Sequence, residues 1–163
     1  MLKLPLVAIA AAVSFAPALP AQTPTNFRPL EFLVGHCWVG AFPGGKVTDE
    51  HCFEWVFDRK FVRDKHVVRG GEPYEGESLY AWDPKTKRIS FSYWSSAGQL
   101  TTGTVEETPE GLVFPQKLES AAGTVEMKSV WTRPDAESYR VSVGEKKGAE
   151  WKVLWTMDLK RKS

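Results

Sequence analysis

Histidine and cysteine are scarce in this chain, with three of the first and two of the second, Cys37 and Cys52. No C-x-x-C occurs, so the paired short spacings that usually build a structural zinc site are missing. Excess charge is missing too. The chain has 21 basic and 20 acidic residues, and residues 1–21 hold one base, Lys3, and no acid, which leaves 20 against 20 in the remainder. That balance excludes the basic face by which nucleic acid is held, and no nucleic-acid partner is expected. The short cluster Lys160-Arg161-Lys162 reads as a solvated strand end. No G-x-S-x-G elbow surrounds Ser95-Ser96, so a hydrolase serine is not indicated. Gly44-Gly45 and Gly70-Gly71 precede no helical pattern and are not phosphate loops. Asp49 and Glu54 fall on opposite faces of one strand and form no catalytic carboxylate pair. There is no repeat, no low-complexity stretch and no linker, and 163 residues suit one domain.

What the N-terminus does have is the export pattern: Lys3, an almost unbroken apolar run from Leu4 to Phe15, and small residues from Ala16 to Ala21. The run is shorter than the roughly 20 residues a bilayer span needs. Residues 1–21 are expected to be a secretory signal, cleaved after Ala18 or after Ala21, and 22–163 the mature domain. The destination is periplasmic or secreted, with no membrane span in the mature protein. An oxidising destination favours a Cys37–Cys52 disulfide, and the turn Phe42-Pro43-Gly44-Gly45 between them makes their strands antiparallel neighbours.

Aromatics are plentiful, with seven Trp and nine Phe. Each ring removes roughly 150–250 Å² from water when buried. From Val34 onward the chain alternates strand-like runs with turn clusters. Asn26–Leu33 forms a short helical or irregular lead-in. Ten strands are predicted: 34–42, 46–57, 61–69, 77–82, 88–95, 99–106, 112–116, 124–132, 138–144 and 150–159. A long meander of this kind must split or close, and closure removes vulnerable edges. The expected fold is therefore all-β, a closed antiparallel up-and-down barrel of about ten strands. Period-two alternation puts Val47, Asp49, His51, Phe53, Trp55 and Phe57 on one inner face. It puts His36, Trp38, Gly40 and Phe42 on another, and Trp151, Val153, Trp155, Met157 and Leu159 on a third. Cys37 and Cys52 then share the outer face, consistent with a cross-strand bridge.

The segment Phe32-Leu33-Val34-Gly35-His36-Cys37-Trp38-Val39-Gly40 carries G-x-x-W-x-G. It is followed by Glu50–Trp55 and by Leu79-Tyr80-Ala81-Trp82-Asp83-Pro84. Together these resemble an uncharacterised bacterial lipocalin-like family of the calycin superfamily, distantly related to nitrobindins, over about Leu30 to Leu159. The resemblance implies a closed barrel with an internal cavity and Trp38 packing at the closed end. Two residues separate Gly35 from Trp38 where lipocalins proper have one. Residues 133–163 contain no histidine, so the haem ligand that nitrobindins carry near their last strand has no counterpart.

The best binding candidates are aromatics of the inner faces with a few polar groups: Trp38, Asp49, His51, Phe53, Trp55, Tyr80, Trp82, Phe91, Tyr93, Trp151 and Trp155. A ten-stranded barrel is wider than the eight-stranded ones that side chains just fill, which favours a cavity. The first reading is a periplasmic, non-enzymatic module for a small hydrophobic or amphipathic ligand, with His51 and Asp49 orienting its polar end. No cofactor is called for. His36, His51 and Asp49 also admit two other readings, a hydrogen-bonded polar patch, or a base or metal-bound imidazole in a haem- or metal-dependent enzyme of nitrobindin-like type. An envelope interaction module is a third functional class. His66, within Arg63-Asp64-Lys65-His66, is expected on an exposed strand face.

Overall fold

The computed structural model describes residues 24–163. The expected secretory segment and both candidate cleavage points lie outside the described residues. The chain opens with a 3-10 segment, Thr25–Leu30, and continues through ten strands. These are β1 (Cys37–Ala41), β2 (Thr48–Val56), β3 (Phe61–Arg69), β4 (Tyr74–Asp83) and β5 (Arg88–Ser95). They continue with β6 (Leu100–Thr108), β7 (Gly111–Ser120), β8 (Gly123–Thr132), β9 (Ser138–Lys147) and β10 (Glu150–Arg161). Every pairing between these strands is antiparallel, each strand lies beside its sequence neighbours, and β1 pairs with β10 to close the barrel. The alternation predicts this well, because each strand needs one apolar face and only closure gives every such face a common interior.

The N-terminal lead-in seals one end. Phe27, Leu30 and Leu33 are fully buried, and Phe27 meets the Trp55 ring edge-on at 5.5 Å. Trp38 packs between Phe32 and Tyr139 and donates its indole N–H to the Leu33 carbonyl at 3.2 Å. That bond satisfies the polar atom of an otherwise apolar plug. Cys37 and Cys52 stand directly opposite in the β1–β2 register and are disulfide-bonded.

Two of the expected faces are corrected. Phe57 is not on the inner face of β2. It belongs to the turn Phe57-Asp58-Arg59, whose three residues take positive φ, and it is 70% exposed. On β10 the inner face is broken by a bulge at Leu154: Val153 pairs with Gly144, but Trp155 pairs with Val143. One extra residue reverses the sense of alternation. Trp155, Met157 and Leu159 point inward, whereas Trp151 and Val153 lie on the outer wall, exposed.

Candidate functional site

Above the aromatic plug the barrel holds a cavity of about 470 Å³. Its lower wall is apolar: Tyr80, Phe91, Phe114, Trp131, Val141, Met157 and Leu159. Nearer the mouth it is framed by Phe42, Trp155, Val68, Leu118, Met127 and Val143. Between these levels lie Asp49, His51, Asp64, His66, Tyr93 and, further round, Thr101, Gln116 and Ser129. Such a mostly apolar enclosure with a few convergent polar groups is the usual form of a small-molecule site.

The polar cluster grows out of strand register. His51 of β2 stands directly opposite His66 of β3. Both point inward, and their rings stack 4.4 Å apart with planes 9° from parallel. Asp49 precedes His51 by two positions and Asp64 precedes His66 by two, so alternation puts all four side chains on the inner wall. His51 Nδ1 lies 2.8 Å from Asp64 Oδ2, and its Nε2 lies 3.3 Å from Asp49 Oδ2. His66 Nδ1 lies 2.9 Å from the Tyr93 hydroxyl, which donates to the Tyr74 hydroxyl at 3.1 Å. His66 Nε2 approaches Asp49 Oδ1 to 2.5 Å. That approach lacks the directionality of a hydrogen bond, and both atoms are buried without a hydrogen-bond partner, as is Asp64 Oδ1.

The electrostatics follow from burial and proximity. Burial works against the charged His51 ring, but the charge of Asp64 and the hydrogen bonds to Asp49 and Asp64 outweigh it and raise the imidazole to about 10. Burial alone would raise Asp49, yet the His51 and His66 imidazoles held against it keep it below the ordinary carboxylate range. Burial, then the Tyr74 hydrogen bond, push the Tyr93 phenol up. Without a metal, His51 is an imidazolium held between two carboxylates.

Of the residues predicted to bind, Asp49, His51, Tyr80, Phe91, Tyr93 and Trp155 line the cavity. Trp38 and Phe53 are buried in the packed end instead. Trp55 and Trp82 pack against the core, Trp55 under Phe27 and the Arg59 guanidinium. Trp151 sits on the outer wall, 41% exposed, under the Lys128 ammonium. His36 does not join His51. It lies before β1, where it packs edge-on against Trp38 and meets Arg161. His66 is the larger correction, because it is not on an exposed face but lines the cavity with a side chain only 13% exposed. Its run of four polar residues is two interleaved sets: Arg63 and Lys65 face out, while Asp64 and His66 face in.

Fold and site together define a class: a closed ten-stranded antiparallel barrel around an internal cavity that opens at one end and has one ionisable wall. Neither a protein-family model nor a curated protein matches the chain.

Proposed function

We propose that the protein is an exported, lipocalin-like binding barrel that shelters one small amphipathic molecule, its periplasmic destination read from the N-terminal sequence. The observation that carries this reading is the cavity of about 470 Å³, apolar over most of its lining with the ionisable groups gathered on the β2–β3 side. Cavities of roughly 300–1,000 Å³ enclose most of a drug-sized ligand. The apolar part of the occupant lies against Phe91, Phe114, Trp131 and Met157. Its polar end reaches the Asp49–His51–His66 wall. The disulfide accords with export to an oxidising compartment.

The test is a screen of hydrophobic fluorophores and lipid extracts against purified protein, followed by native mass spectrometry of protein from its own host. The reading expects saturable binding of one molecule per chain, with quenching of Trp131 and Trp155 fluorescence. Protein that takes up no probe and carries no co-purified molecule would overturn it.

A further inference from the structure

We propose that Asp49, His51 and His66 bind one divalent first-row transition-metal ion, of the zinc class, on the cavity wall, with Asp64 and Tyr93 holding the two imidazoles in the ligating orientation. The proposal goes beyond the amphipathic-ligand reading and does not rest on it, since it concerns only the side chains of the wall.

The hydrogen-bond partners supply the first step. With its proton given to Tyr74, the Tyr93 hydroxyl oxygen can accept from His66 Nδ1–H, the tautomer that ligation through Nε2 requires. Asp64 Oδ2 accepts from His51 Nδ1–H. Each ring thus has its Nδ1 tethered, one by a carboxylate and one by a hydroxyl, which is how metal-bound histidines are held. Both Nε2 atoms are left turned toward the same carboxylate, Asp49. A bare nitrogen lone pair 2.5 Å from a carboxylate oxygen is repulsive, so a cation, proton or metal, belongs at this contact, and one metal ion can serve both Nε2 atoms at once.

The second step is charge and donor type. Two carboxylates lie on this wall, each no more than 4% exposed, and buried charges require a partner. Two imidazolium ions balance them to zero, and so do two neutral imidazoles with one divalent cation, which takes the place of the two protons. Asp49 Oδ1, Asp64 Oδ1 and His66 Nε2 are buried without hydrogen-bond partners, half of the six such side-chain atoms among the described residues, and all three belong to this one wall. Two imidazoles with one carboxylate suit zinc, copper, nickel or iron rather than calcium or magnesium. One candidate donor atom from each of the three residues lies within 4.8 Å of the other two. Bonds of about 2.0–2.2 Å draw such a set to roughly 3.4 Å, and because the two rings lie only 9° from parallel, ligation also requires them to tilt until both Nε2 lone pairs meet at one point. Three protein ligands leave a further coordination position, as in open rather than structural sites, and the ligands themselves line the cavity. The other grouping of potential ligands, Cys37, Glu50 and Cys52, is excluded because its two sulfurs are joined in the disulfide.

The experiment uses untagged protein stripped with chelator. Zn²⁺ is titrated by calorimetry and competition, and Co²⁺ is followed by its visible absorption. The proposal expects one ion per chain at micromolar or tighter affinity. His66→Gln should lose it, and Tyr93→Phe, which keeps the ring and removes only the tethering hydroxyl, should weaken it about 10–100-fold and move the Co²⁺ bands. If His66→Gln does not fold, Tyr93→Phe and the imidazole ¹⁵N resonances of the unmodified protein decide, because Zn²⁺ should shift both rings. Three outcomes overturn the proposal: no stoichiometric binding, affinity indifferent to both variants, or two doubly protonated imidazoles that Zn²⁺ leaves unchanged. Because no organic ligand is present in the titration, such a failure leaves the cavity reading standing.

Discussion

Gly76 shows how a single residue positions the polar wall. It lies opposite His66 on one side and Ser95 on the other. A Cβ there would collide with the Tyr93 hydroxyl, would sit 2.5 Å from Tyr93 Cε2, and would be 2.6 Å from the Trp94 carbonyl. The missing side chain is the notch through which Tyr93 of β5 reaches across β4 to His66. Gly76→Ala should therefore cost about 1–3 kcal/mol by overpacking and break the Tyr74–Tyr93–His66 chain. Urea unfolding gives the first quantity, and the His66 ring resonances give the second. A variant within experimental error of the parent on both would show that the notch is not needed. This scale is also where the sequence is least legible. Asp49 and His51 interrupt an aromatic face, so alternation marks them as inward. Asp64 and His66 sit among charged residues, where polarity hides which face is which. The signal is present all the same, since Val62 and Val68 share their parity and bracket them with apolar residues. His36 escapes alternation for a different reason. The chain before Cys37 is not yet in a strand, so a period of two has no meaning there.

At the scale of elements, the strands are legible because each needs an apolar inner face, and the turns carry their own glycines and prolines. What alternation alone does not reveal is the bulge at Leu154. Val153, Leu154 and Trp155 form a continuous apolar run, so no polar residue marks the slip that sends Trp151 outward. The β1–β2 hairpin gives a cleaner quantity. Cys37 and Cys52 close a loop with a sequence separation of 15, and a loop of that length is worth about 3 kcal/mol in the chain-entropy model. β1 is also the shortest strand of the barrel, five residues long, and it supplies one side of the closing seam with β10. Replacing both cysteines by alanine should lower the unfolding free energy by about 3 kcal/mol. Hydrogen exchange should show the added opening at β1 and its seam first, ahead of β5 to β8. Uniform loss of protection around the barrel would mean that the bridge stabilises the molecule globally rather than at its seam.

The whole molecule is arranged inside out with respect to a barrel that spans a membrane. Its outer wall carries cross-strand ion pairs, Arg63–Glu54, Arg88–Glu106, Arg140–Asp158 and Lys146–Glu126, where a lipid-facing wall would need an apolar band. The large apolar surfaces are instead turned to the interior, and the plug of Phe27, Leu30, Leu33 and Trp38 fills only one end of it. The unfilled remainder is what the binding proposal depends on, and two valines on opposite sides of the wall test it. Val143 is buried and lines the cavity, whereas Val153 is 60% exposed on the outer face. Val143→Trp places an indole in the empty volume. It should lower affinity for hydrophobic fluorophores at least tenfold without reducing the unfolding midpoint, because the added atoms gain contacts with a lining that has none on that side. Val153→Trp adds the same atoms to the water-facing wall and should leave fluorophore binding unchanged. Equal binding by both variants would place the occupant outside the barrel, and an interior that rejects the indole by unfolding would show that the cavity is smaller than its lining implies.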